Sequence, residues 1–228
     1  MADNKTTPLE NSEVAVAKAK DFWTKNSKMI LGVGGGLLVL VIGFYVYRNF
    51  FQKPKEEKAM ASLYKAEEYY RMDSANLALN GDGSSNPGLL TIINKYSGTK
   101  AANLAHFYAG ACYIQLDDND NAIKHLKDFS SESKQVQQRA YLLLGDAYAD
   151  KGEHKQALDY YKKSANHFVE DENASAEALF RAAAIAEVLN DNAEAVKLYT
   201  QLKEKYRSSP RGQEVDVYLA KLGALNVD

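Results

Sequence analysis

The chain has 228 residues, 46% of them hydrophobic and 25% charged, and a formal net charge of −2. Those values suit one medium globular domain with appendages, and the mixed charge lacks the basic stripe of a nucleic-acid binder. The single cysteine, Cys112, excludes an internal disulfide framework or a CxxC metal site and reads as a small buried hydrophobe.

Residues 1–28 form a polar tail that is expected to be disordered. A transmembrane helix is expected over 29–48. Its core, "MILGVGGGLLVLVIGFYVY" at 29–47, is nineteen residues without a charge, about 28 Å of helix and close to the hydrocarbon thickness. Phe22 and Trp23 before it, and Phe44, Tyr45, Tyr47, Phe50 and Phe51 towards its far end, suit an interfacial aromatic belt. A soluble core helix would carry a polar stripe, and this segment has none. A cleaved leader would be shorter and would begin nearer the N-terminus, so an uncleaved anchor fits better. Gly32, Gly36 and Gly43 make a small-residue face suited to close packing against another membrane helix. Four lysines (Lys18, Lys20, Lys25, Lys28) on one flank face Arg48, Lys53, Lys55 and Lys58 on the other. The positive-inside rule therefore gives no orientation.

A juxtamembrane linker is expected over 49–58, and the rest of the chain, 59–228, reads as helical hairpins. "EEKAMASLYKAEEYYRM" (56–72) is amphipathic; after the loop "NGDGSSNPG" (80–88), "LLTIINKYSG" (89–98) is expected to be its partner. The clearest unit is "LLLGDAYADKGEHKQALDYY", 142–161. Tyr141, Leu144, Gly145 and Tyr148, then Ala157 and Tyr161, resemble the tetratricopeptide pattern W-x2-L-G-x2-Y followed by A-x3-F. Gly110, Tyr113, Ala122 and Leu126 repeat it 35 residues upstream, and Ala195 and Tyr199 repeat its second half 38 residues downstream. The excess is expected in a loop at "EDEN", 170–173. The small residues Gly145 and Ala157 should let paired helices approach, and Gly152 should adopt a left-handed helix-ending conformation. "GQEVDVYLAKLGAL", 212–225, reads as a capping helix after Pro210. The fold expected is all-α: one N-terminal transmembrane helix, then a tetratricopeptide-repeat solenoid with a C-terminal capping helix.

Chemistry is harder to find. His106, His125, His154 and His167 lack paired-ligand spacing, and "DDNDN" at 117–121 lacks the Gly and Glu of a calcium loop. No GxSxG or Walker motif occurs. The expectation is a non-enzymatic protein with no cofactor and no metal. Stacked helix pairs instead offer a concave face to peptides or partner proteins. With the repeat Gly at position eight, the inward positions two, five, nine and twelve hold Leu104, Phe107, Ala111 and Ile114; Arg139, Leu142, Asp146 and Ala149; then Glu177, Phe180, Ala184 and Glu187. Apolar Phe107, Ile114, Leu142 and Phe180, among Arg139, Asp146 and Glu187, suit hydrophobic or unfolded segments better than an acidic tail. Residues 59–228 carry 19 Lys and Arg against 24 Asp and Glu, whereas the first 58 carry 9 against 6. The repeat domain should therefore stand off anionic lipid.

Tail, uncleaved span, short charged linker and C-terminal repeats together resemble the YfgM-like family of bacterial inner-membrane proteins. The resemblance implies a cytoplasmic N-terminus, a periplasmic repeat domain and a role as an ancillary subunit of the SecYEG translocon. It implies partners among translocon subunits, a periplasmic chaperone or prolyl isomerase, and unfolded clients. A cytosol-facing membrane receptor or assembly scaffold is the alternative.

Overall fold

The structure is a computed structural model that describes residues 8–224, with side chains described from Ser12. Every element among them is helical, and there is no strand. The chain divides into two compact units, up to Pro54 and from Lys55 onward.

The first unit holds α1 (Pro8–Val46) and a π-helical segment, Tyr47–Gln52. The tail expected to be disordered is thus helical from Pro8, and the part of that expectation on Met1–Thr7 lies outside the described residues. Proline suits a first helical turn, and no further Gly or Pro occurs before Gly32. The linker expected over 49–58 is likewise helical. Between Met29 and Tyr47 no side chain is buried, and the segment is long and apolar enough to cross a membrane.

The second unit stacks helical hairpins. Their first helices are α2 (Lys53–Arg71), α5 (Lys100–Gln115), α7 (Lys134–Asp150) and α9 (Glu172–Val188). The helices that follow are α3 (Ala75–Asn80), α6 (Asn119–Asp128), α8 (His154–His167) and α10 (Asn192–Lys205), and α11 (Pro210–Lys221) closes the stack. One turn recurs four times. Asp73, Asp117, Gly152 and Asn190 hold φ of 53°, 58°, 76° and 58°. The next residue's N–H donates to the carbonyl five residues back, as Ser74 to Tyr69, Asp118 to Tyr113, Glu153 to Tyr148 and Asp191 to Ala186, at 2.9–3.0 Å. That is the bond pattern of a Schellman helix end. The same residue's carbonyl opens the next helix by accepting from Ala78, Ala122, Ala157 and Ala195, four alanines that are fully buried. "DDNDN" is this turn, with the Asp118 carboxylate accepting from the Asn121 N–H at 3.2 Å.

The recurrence corrects the first hairpin. The partner of α2 is α3, a helix missed in the sequence, joined by the Asp73 turn. Helix α4 (Gly88–Lys95) follows after a loop whose ends nearly touch. A Cβ on Gly88 would lie 2.4 Å from the Gly81 nitrogen, and one on Gly81 would lie 2.1 Å from the Asn86 carbonyl oxygen. Asp82 closes that loop, accepting N–H bonds from Ser84, Ser85 and Asn86 at 2.9–3.0 Å. The second helix of the first hairpin is therefore split in two, and Leu79, Leu89 and Ile92 on either side of the split share one core with Ala59, Leu63 and Ala66 of α2.

Two further expectations shift. The 35-to-38 excess does not lengthen the loop at 170–173; it lengthens α8, which has 14 residues where α6 has 10. The place of the missing Cβ at Gly145 is filled by a side chain rather than by backbone, since a Cβ there would lie 2.4 Å from the Tyr161 ring; at Gly110 the Leu126 side chain holds the same position. Small residue and bulky partner are one packing unit, and van der Waals contact over the ring face stabilises it.

Buried polar groups fix the stacking. Gln138 Nε2 donates to the Ser164 carbonyl at 3.2 Å and to Ser175 Oγ at 3.0 Å, which ties α7, α8 and α9 together. The Glu56 carboxylate accepts from the N–H groups of Lys100 and Ala101 at 2.8 and 2.9 Å. It thereby satisfies two orphan donors at the start of α5 from the first turn of α2.

Candidate functional site: the face formed by the first helices

Side chains at positions two, five, nine and twelve of α5, α7 and α9 meet different neighbours, some within their own hairpin and some on the next first helix. Their environments differ along the stack.

Towards the C-terminus the face is closed by ion pairs. Asp146 of α7 accepts from the Tyr161 hydroxyl at 2.7 Å and pairs with Arg181 of α9. Glu177 bonds Arg181 and Arg211, each at 2.7 Å, which carries the chain of charges from α9 into α11. Glu187 accepts from the Tyr199 hydroxyl at 2.7 Å and pairs with Lys221 at 3.1 Å. Burial works against the charge on Glu177, but Arg211 and Arg181 outweigh it and hold the carboxyl below its ordinary value. Phe180 packs edge-on against Tyr218 at 4.9 Å, with the Arg211 guanidinium 4.3 Å above its ring.

Towards the N-terminus the face is aromatic and carries a charge that forms no ion pair among the described residues. Tyr70 of α2 lies against Tyr108 of α5 at 5.2 Å, and Phe107 lies between Tyr108 and Phe129 at 5.5 and 5.3 Å. Burial and the hydrogen bond to Glu67 push the Tyr108 hydroxyl up to about 12. Arg139 of α7 is exposed, and its guanidinium acts on the Tyr70 hydroxyl, partly offsetting the rise that burial causes. Met60 and Tyr64 of α2 are 47% and 65% exposed.

The predicted lining residues thus separate. Phe107, Ile114 and Leu104 are half-buried with an accessible side, and Arg139 is open. Leu142 is 3% exposed and packs into the core that Leu143, Tyr161 and Leu179 share, so it is no lining residue. Ala111 is also buried. Asp146, Phe180 and Glu187 reach the face but are engaged within the chain. Around Gly32, Gly36 and Gly43 an added Cβ would meet nothing within 4 Å. Sequence reading missed Met60, Tyr64 and Tyr70; the Ala66–Ala78 spacing of twelve, the same as Gly110–Ala122 and Gly145–Ala157, was the signal that α2 heads a hairpin of the same kind.

No cluster of three or more metal-ligating side chains occurs among the described residues. Cys112 is buried, which pushes its thiol up to about 12, and such a thiol is a poor nucleophile at neutral pH. His106 and His125 meet Nδ1 to Nδ1 at 3.1 Å, one donating and the other accepting, and Tyr113 stacks on His125 at 5.5 Å.

Four buried small-residue hairpins with one shared turn, stacked so that their first helices form one face, define a helical-hairpin repeat domain of the protein-binding class. A family of tetratricopeptide repeat-like domains matches residues 20–169, and a tetratricopeptide repeat matches residues 177–209. The chain belongs to the tetratricopeptide repeat-like family. No curated protein matches it.

Proposed function

We propose that the protein is a non-enzymatic, membrane-anchored protein-interaction module that receives its partner on the face of α2, α5 and α7. The observation that carries this reading is the open aromatic surface of Met60, Tyr64, Phe107 and Tyr108 beside the exposed Arg139, on a family of domains whose general use is binding peptides. Its finer form is an accessory subunit of the Sec translocon, with the N-terminus cytoplasmic, the repeats periplasmic, and periplasmic chaperones or unfolded clients on the open face. Architecture alone supports that form: an N-terminal apolar span followed by the repeats. Gly32, Gly36 and Gly43 are proposed to face another membrane helix.

The test is co-purification of the full chain in mild detergent, compared with a chain whose 29–47 segment is replaced by an unrelated span and with Phe107→Glu and Arg139→Glu variants. Translocon subunits and extracytoplasmic folding factors should co-purify with the wild type and fall away in the face variants. Enrichment of cytosolic proteins would support a cytosol-facing scaffold instead, and partner binding that survives both face substitutions would overturn the open-face assignment.

A further inference from the structure

Residues 12–28 were expected to be tail and are instead helix, and the helix sorts them. At about 100° per residue, Ala15, Val16, Ala19, Phe22 and Trp23, with Ser12 and Asn26, fall within an arc of about 120° that contains no charge. Lys18, Lys20, Lys25 and Lys28, with Glu13 and Asp21, all occupy the opposite side; Val14 is the one large apolar residue among them. Lys18 and Lys20 border the apolar arc on its two edges, where long side chains can lay their stems on lipid and keep the ammonium in water. The large apolar side chains of this arc are exposed, with Phe22 at 62% and Trp23 at 52%. Four lysines against two acids make the polar side cationic.

We infer that residues 12–28 lie in the surface of an anionic bilayer, the apolar arc in the boundary between headgroups and acyl chains and the lysines among lipid phosphates. The inference rests on the reading of 29–47 as a membrane span, because that span delivers the helix to the bilayer surface. If α1 ran straight out of the membrane, Val16 would stand about 20 Å beyond Met29, in water, with the whole apolar arc unburied. Lying down requires a bend between Trp23 and Met29. The side chains there make helix-bending bonds: Thr24 Oγ donates to the carbonyls of Lys20 and Asp21 at 3.0 Å, and Asn26 Nδ2 donates to that of Phe22 at 2.9 Å. The lysine excess selects lipid over an apolar protein groove as the occupant.

Trp23 is the only tryptophan, so its emission in the full chain reports on this helix alone. The experiment places the full chain and a V16W/W23F variant, whose reporter is about 10 Å further from the span, in nanodiscs of phosphatidylcholine with or without phosphatidylglycerol. Quenching by brominated acyl chains is then read. The V16W/W23F reporter should be quenched about twofold in anionic discs and far less in neutral ones, and replacing Lys18, Lys20, Lys25 and Lys28 with Gln should remove the difference. Water-like, unquenched V16W/W23F emission in both discs would overturn the inference, as would equal quenching with and without anionic lipid. A reporter buried in lipid-free detergent in proportion to protein concentration would show a second copy covering the arc and would overturn it too. Failure of the protein to enter discs at all would instead overturn the span.

Discussion

The two ends of the repeat face solve the same packing problem with different chemistry. Across α7, α9 and α11, neighbouring first helices are joined by Asp146–Arg181, Glu177–Arg211 and Glu187–Lys221. Towards the other end Tyr70 of α2 meets Tyr108 of α5, Phe107 packs between Tyr108 and Phe129, and Arg139 of α7 forms no ion pair with any described residue. Paired charges that are half-buried consume their own hydrogen-bonding capacity and leave little for a ligand. Rings with an open face, beside a guanidinium that pairs with no described carboxylate, keep theirs. The charged end holds shape, and the aromatic end is the one on which partner binding is proposed.

The largest effect expected breaks the packing both ends share. Gly145→Val drives a branched side chain into the Tyr161 ring and should cost about 2–3 kcal/mol, read as a lower unfolding temperature of the full chain in detergent by far-UV ellipticity. A variant as stable as wild type would show that the ring can move aside.

Next comes the contrast between the two arginines. Arg181→Met takes one partner from each of two half-buried carboxylates, leaving Asp146 with Tyr161 and Glu177 with Arg211, and should cost about 1–2 kcal/mol, whereas Arg139→Met should change stability by less than about 0.5 kcal/mol. Equal losses on unfolding by denaturant would erase the distinction between the ends.

A pH effect of similar or smaller size comes from the His106–His125 contact. Burial, then His106 and Lys124, hold His125 at about 4, against 6.5 when free, while Asp128 pulls weakly the other way. The folded state therefore binds fewer protons than the unfolded state between these values. Stability from this site is complete above about pH 6.5 and is lost as pH falls towards 4. His125→Phe should flatten that part of the stability-against-pH curve, and an unchanged slope would assign the acid sensitivity to other groups.

The smallest change expected is local. Asp82→Ala removes the acceptor that closes the 81–87 loop, and hydrogen exchange should quicken at Ser84, Ser85 and Asn86, with the unfolding temperature shifted only slightly.

Much of this fold was legible because the repeat spacing is a packing requirement. Gly145 and Tyr161 are sixteen residues apart since one must fit the other across a hairpin, and Gly110 with Leu126 obeys the same geometry. The apolar run at 29–47 was legible because nineteen successive residues carry no charge, the pattern a helix needs to be able to cross a bilayer. Helix α3 was harder: six residues beside a glycine-rich loop carry too little period to be seen, and only the Ala66–Ala78 spacing pointed to the hairpin that the Asp73 turn makes. Leu142 was misread as lining because position in a repeat gives direction but not coverage. Whether a neighbour lies on top depends on how the hairpins stack.

The sequence alone determined the all-helical class, the repeat length and the membrane-length apolar segment, since each follows from periodicity and from which solvent a side chain tolerates. The tertiary structure decided which end of the face is open. Ion pairs such as Asp146–Arg181 and Glu177–Arg211 join residues about 35 apart, and only the stacking of one hairpin on the next brings opposite charges within reach.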